Sequence, residues 1–202
     1  MGNYIMGVDL GQSQDPTAII VLEVPSGSRG PRMYHLRHAE RLALGTPYPV
    51  VAERIRSMMQ SSELRGRTWL VVDATGVGMP VVDMLWRTGL RPIAVTITGG
   101  NTVVSSGPGI YSVPKRDLAS VLQVLLQTER LRIARKIPQA DILVQELRAF
   151  RVKINLTTGH DSYESWRESE HDDLVLAAAM ACWYAENAWP GPRGPVRVVW
   201  GS

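Results

Sequence analysis

Four aspartates stand where a carboxylate is costly. Asp9 closes the apolar run Tyr4-Ile5-Met6-Gly7-Val8, Asp73 closes Trp69-Leu70-Val71-Val72, and Asp172 and Asp173 open an apolar stretch from Leu174 to Ala188. A carboxylate beside a buried element is unfavourable by several kcal/mol unless a partner offsets it. Hard oxygen donors drawn from three separate segments make a poor core and a good site for magnesium or manganese, which prefer such ligands. Two of these ions, held roughly 3.5–4 Å apart, support hydrolysis of a phosphodiester. Taken singly, each residue has an ordinary role: Asp9 as a cap on the turn at Gly11, Asp73 as a cap on the helix that follows Thr75, and one of the Asp172-Asp173 pair as an N-cap. Their combination points to metal chemistry.

The elements that must position them can be read from hydropathy. Residues 3–10, 17–24 and 33–42 read as three strands, with short polar links at 11–16 and 25–31 that imply antiparallel neighbours. Val50 to Leu64 has helical spacing, Trp69 to Val72 reads as a strand buried on both faces, Gly76 to Thr88 as a helix and Arg91 to Ile97 as a strand. Strand, helix, strand at this spacing is a βαβ unit with parallel pairing. Residues 98–113, rich in Gly, Ser and Thr, read as a long loop; Lys115 to Arg130 and Ile137 to Phe150 read as helices, with Pro138 suited to a first helical position. The stretches 148–155 and 162–167 read as the arms of a hairpin, and the last helix runs from Asp172 to about Ala188. The expected fold class is α/β: a mixed central sheet, three antiparallel strands followed by parallel ones, flanked by helices. One domain over residues 1–189 is expected, with 190–202 a loose Pro/Gly-rich tail.

Composition narrows the function classes. The chain has 202 residues, 45% hydrophobic, with a net charge of +3 that is compatible with an anionic partner. No apolar run reaches the roughly 18 residues of a membrane span, and no signal-peptide pattern opens the chain, so a cytoplasmic location is expected. The single Cys182, inside the last apolar stretch, excludes an internal disulfide framework and reads as a small buried hydrophobe.

Four local patterns carry a resemblance. They are Val8-Asp9-Leu10-Gly11 with Asp15-Pro16-Thr17-Ala18, Val72-Asp73-Ala74-Thr75-Gly76-Val77-Gly78, Val113-Pro114-Lys115-Arg116-Asp117-Leu118, and Glu170-His171-Asp172-Asp173-Leu174-Val175. In this order, over residues 3–188, the chain resembles the nuclease domain of phage large terminase subunits, within the ribonuclease H-like nucleases. The resemblance implies a ribonuclease H-like sheet and a two-metal endonuclease using two divalent cations, Mg or Mn. Asp9 would bridge the ions, Asp73 would complete one site, and Asp173 or Asp172 the other, with His171 beside them to orient water or phosphate. Helical periodicity leaves the choice within the pair open: Asp173 shares a face with Leu176, Ala177 and Met180, and Asp172 with Val175, Leu176 and Ala179. Asp173 is placed first. Thr75, Gly76 and Gly78 form a small-residue turn that would let a phosphate backbone approach. Asp15 reads as a turn residue.

Lys115 and Arg116 open a helix, where positive charge opposes the helix dipole unless an anion is near. With Arg148, Arg151, Lys153 and Arg167 along the expected hairpin, they are candidate contacts to a DNA backbone. No base-reading device is evident, so cutting of double-stranded DNA with little sequence specificity is expected. The expected partner is double-stranded DNA, and the terminase resemblance further implies an ATPase domain or subunit, a small terminase subunit and a portal. The chain contains no G-x-x-x-x-G-K-[ST] phosphate-binding loop, so packaging-motor activity is not assigned to these residues. Competing readings are a Holliday-junction-resolvase or transposase-like nuclease of the same fold, a scaffold that binds DNA without cutting it, and an actin-like ATPase. The last repeats its domain over about twice this length and has no role for Asp73 and Asp173.

Overall fold

The computed structural model describes residues 2–11, 15–26, 30–75, 78–156 and 172–191, with the backbone alone described over 151–156. Among the described residues eight strands form one sheet: β1 (Asn3–Asp9), β2 (Ala18–Val24), β3 (Tyr34–Arg41), β4 (Thr68–Asp73), β5 (Pro92–Thr98), β6 (Val104–Gly107), β7 (Ile110–Pro114) and β8 (Leu131–Ile133). Five helices accompany them among the described residues: α1 (Tyr48–Met59), α2 (Gly78–Arg87), α3 (Lys115–Gln127), α4 (Ala140–Leu156) and α5 (Asp173–Asn187). The strand order is β6-β7-β5-β4-β1-β2-β3-β8. β1, β2 and β3 are antiparallel neighbours, while β1-β4, β4-β5 and β5-β7 are parallel. The expected mixed sheet is therefore present, with three antiparallel strands on one side of its centre and parallel strands on the other.

Alternation along the strands sorts the core into two layers. On one face Ile5, Ile20, Leu22, Val71 and Val95 pack with Leu118 and Leu122 of α3, Leu143 and Leu147 of α4, and most of α5. On the other, Met6, Val8, Ile19, Leu70 and Val72 pack with Val51 and Ile55 of α1 and Leu85 of α2. α5 is buried almost all round, as its near-continuous apolar sequence requires. Its alanines Ala177, Ala178, Ala179 and Ala181 allow close approach to the sheet, and Cys182 is a free thiol buried among them. Among the described residues no helix is long and apolar enough to cross a membrane.

Three expectations are corrected. The long loop at 98–113 contains a hairpin, β6-β7, whose turn uses Gly109 at φ 76°, a region that favours glycine. Its Ser- and Gly-rich composition hid the short alternation that buries Val113 and pairs β7 with β5. Residues 148–155 continue α4 and are not a hairpin arm; residues 162–167 lie outside the described residues. The segment Phe150-Arg151-Val152-Lys153-Ile154 alternates like a strand, but Leu143, Leu147 and Phe150 already define a helical face, and extending a formed helix is easier than nucleating a new element. α4 itself starts at Ala140, not at Pro138, since Gln139 has φ 65°. β8, only three residues long, pairs parallel with β3 and is too short to show a period.

Candidate active site

Asp9 and Asp73 are the last residues of β1 and β4, which pair in parallel with Val8 opposite Val72. Their side chains continue the alternation of Ile5 and Gly7, and of Val71, so both fall on the face that α5 covers. α5 approaches β1 closely because Gly7 has no side chain: a Cβ there would stand 2.1 Å from the Ala177 carbonyl oxygen. This contact sets the first turn of α5, with Asp172 and Asp173, against the end of β1.

The electrostatics record the convergence. The carboxyl of half-buried Asp9 is held well above the usual carboxylate range, first by loss of hydration and then by the charges of Asp73, Asp173, Asp172 and Asp15, in that order. Four acidic groups thus act on one. Asp15, read as a turn residue, lies in an exposed turn lining an open cleft with Gly11, Thr17, Thr46 and Tyr48. That turn is held by Gly11 N–H donating to Thr17 Oγ1 at 3.1 Å and by Tyr48 O–H donating to the Gly11 carbonyl at 3.2 Å.

The two members of the aspartate pair differ in setting. Asp173 is 5% exposed and meets Arg41, Nη2 to Oδ2 at 3.2 Å. Asp172 is half-buried at the N-cap position, where its carbonyl accepts from Leu176 N–H at 2.9 Å while its side chain makes no capping bond. Asp73 accepts at Oδ1 from both Thr75 N–H, 2.7 Å, and Thr75 O–H, 2.5 Å. The same hydroxyl accepts from Ile97 N–H at 2.7 Å, so Thr75 ties Asp73 to β5. Thr75→Val is accordingly expected to lower the melting temperature by several degrees, because a part-buried N–H loses its acceptor at a cost of about 1–3 kcal/mol. Thr75→Ser should retain the parental melting curve in a thermal scan; equal loss in both variants would assign the effect to packing.

Sequence reading missed two members of this cluster, Arg41 on β3 and Glu146 on α4. Glu146 is 8% exposed, and its carboxyl is pushed up to about 7 by burial, against the pull of Arg41 and the Val175 amide. Its signal was available: Glu146 falls between Leu143 and Phe150 at helical spacing, a charge on an apolar face. Among the described residues no three acidic, histidine or cysteine side chains are already arranged to ligate one metal ion. The donor set is nevertheless all hard oxygen at this end of the sheet, which suits magnesium or manganese.

No family model matches the chain. Curated relatives include the large terminase subunits of Thermus phage G20c and Thermus virus P23-45, each 24% identical over 178 residues, which is 88% of this chain and 31% of theirs. The chain thus spans about a third of the length of these relatives. Among solved structures, the large terminase nuclease of thermophilic phage G20c superposes with a TM-score of 0.57 at 21% identity, covering 92% of this chain and 82% of that one. The fold is that of the large-terminase nuclease domain. The large terminase of a second thermophilic bacteriophage has a TM-score of 0.57 at 12% identity over 91% of this chain and 39% of its own. The human cytomegalovirus terminase nuclease domain, manganese-soaked and inhibitor-bound, has a TM-score of 0.51 at 11% identity over 91% and 84%. The resemblance to terminase nucleases carried by the four sequence patterns thus extends over 92% of the chain and to the fold of its mixed sheet.

Within this terminase-nuclease fold the other candidates among the described residues lie on α2, α3 and α4. Lys115 and Arg116 open α3; the Arg116 guanidinium donates to Asn101 Oδ1 at 2.7 Å and to the Asn101 carbonyl at 2.5 Å, and lies 3.6 Å from Asp117. Arg148 is exposed on α4. Arg151 and Lys153 belong to the same helix, with side chains outside the described residues, as are Arg167, His171 and Gly76. Gly78 begins α2.

Proposed function

We propose that the chain is a metal-dependent endonuclease that cuts double-stranded DNA with little sequence specificity. The observation that carries this reading is the convergence of Asp9, Asp73 and Asp173, from three separate elements, on one end of the sheet, where their charges raise the Asp9 carboxyl together. Mutual repulsion of this kind is relieved by divalent cations. Asp9 would hold two of them in common, Asp73 one, and Asp173, with Asp172 beside it, the other. When bound, such a pair supplies Lewis-acid activation of water and neutralises charge at the leaving oxygen. Manganese in a terminase nuclease of the same fold supports this choice of ion.

The protein's own residues do the positioning. Thr75 fixes the Asp73 carboxylate through two hydrogen bonds. The turn of Thr75, Gly76 and Gly78 would admit a phosphate, and His171 would orient water or phosphate. Lys115, Arg116, Arg148, Arg151, Lys153 and Arg167 would hold the DNA backbone, which fixes register without reading sequence. In a packaging setting in the host cytoplasm, the partners would be an ATPase domain or subunit, a small terminase subunit and a portal.

With Mn²⁺ or Mg²⁺ the purified chain is expected to nick and then linearise supercoiled plasmid, read on an agarose gel. Excess EDTA should stop the reaction. Cutting that persists in EDTA would remove the metal mechanism.

A further inference from the structure

Arg41 serves two carboxylates at once. Its Nη2 lies 2.5 Å from Glu146 Oε1 and 3.2 Å from Asp173 Oδ2. The other Glu146 oxygen, Oε2, accepts from Val175 N–H at 3.3 Å, in the first turn of α5. All three side chains are largely removed from water, so the charge of the arginine is shared locally and not screened by solvent. The placement of Arg41 is itself built. β2 keeps its alternation, but the pairing jumps from Val21 opposite His38 to Leu22 opposite Leu36, so β3 carries one extra residue at Arg37. Tyr34 and Leu36 face α5 before this bulge and Ala39 after it, and the shifted alternation brings Arg41 onto the same face. Without the extra residue Arg41 would point to the opposite layer.

We infer that Glu146 is a positioning residue for Asp173: it commits the Arg41 charge, so that Arg41 orients Asp173 without neutralising it as a metal ligand. This deepens the nuclease reading and rests on Asp173 being a ligand. An arginine paired with Asp173 alone would compete directly with a divalent cation. With Glu146 as the nearer partner, one cation faces two carboxylates and the trio keeps a net negative charge toward the metal site. The Glu146 bond to Val175 N–H adds a mechanical part, fixing the turn from which Asp173 projects.

The test is Mn²⁺ binding to the full chain without DNA, by titration calorimetry at mildly alkaline pH, with melting curves as the fold control. Glu146→Gln keeps the shape and an acceptor for Val175 but loses the charge. It is expected to weaken Mn²⁺ binding roughly five- to tenfold. Arg41→Gln, which removes the competing cation, should bind Mn²⁺ more tightly than the parent. The double variant E146Q/R41Q should return to within about twofold of the parent. Parental affinity in E146Q, or unchanged or weaker binding in R41Q, overturns the proposal, and R41Q decides it should E146Q fail to fold. Asp173→Asn separates this from the underlying reading. If D173N binds Mn²⁺ like the parent, Asp173 is not a ligand and both fall; if D173N weakens binding while E146Q does not, only the role of Glu146 falls.

Discussion

Asp9→Asn is expected to abolish cleavage while leaving the metal-free protein as stable as the parent, or more so. Asp9 is the residue on which the other acidic charges act: Asp73, Asp173, Asp172 and Asp15 all raise its carboxyl, on top of the effect of burial. Asparagine keeps the shape and removes both the charge and its repulsion. In the proposed site it also removes the ligand common to both ions. Loss of partners that merely orient a metal ligand already costs 10–100-fold, so loss of a shared ligand should exceed about a hundredfold in plasmid cleavage. The stability effect has a definite sign with pH. The folded chain binds the Asp9 proton more tightly than the unfolded chain, so between the two pKa values the folded state carries more protons and stability falls as pH rises. This contribution is fully present below the ordinary carboxylate range and is lost as pH passes the raised folded value. The parent should therefore lose ground to Asp9→Asn as pH is raised from about 4 toward neutrality. Added Mn²⁺ should reverse the order, since a ligand that binds only the folded state raises its stability. A variant that still cuts at the parental rate removes Asp9 from the site; a large fall in its metal-free melting temperature gives Asp9 a structural role instead.

What was legible follows from where the physics is local. Asp9 and Asp73 could be read because each ends a run of apolar strand residues, and a charge in that place is conspicuous without knowing its neighbours. The antiparallel opening and the β4-α2-β5 crossover could be read because short links and a helical spacer leave few pairings. Arg41 could not, because its facing depends on an extra residue in β3 that only the pairing with β2 reveals. Glu146 was visible as a misplaced charge, but its partner lies 105 positions away on another element. The hairpin β6-β7 was lost to composition, and the helical course of 148–156 to a sequence that satisfies both periods. Helical periodicity left Asp172 and Asp173 equivalent; the fold gives them different surroundings, since Asp173 is buried against Arg41 while Asp172 stands half-buried at the N-cap of α5.

Gly7→Ala is expected to be the most damaging single-methyl change in the core. An added Cβ would stand 2.1 Å from the Ala177 carbonyl oxygen, and 3.0 Å from both the Ala177 carbonyl carbon and Ala181 Cβ. The nearest obstacle is backbone in a fully buried helix, so no side-chain rotation relieves it; either β1 or α5 must move. Overpacking a tight core costs about 1–3 kcal/mol and occasionally more, and the rigid obstacle here places the change at about 3 kcal/mol or above. For a chain of this length that corresponds to a melting temperature lower by roughly 6–12 °C. Gly109→Ala is the contrast: its Cβ would meet nothing nearer than 3.9 Å, leaving only the strain of φ 76°. The consequence reaches the site, because the contact refused at Gly7 is the one that sets Asp173 against Asp9. Cleavage by Gly7→Ala should fall even where circular dichroism shows the chain folded, and the raised Asp9 carboxyl should move back toward the ordinary range. Ala181→Gly should recover little, since it clears the lesser contact, and Ala177→Gly should recover none, since the opposing atom is main chain. Full rescue by either would place the close approach of α5 elsewhere.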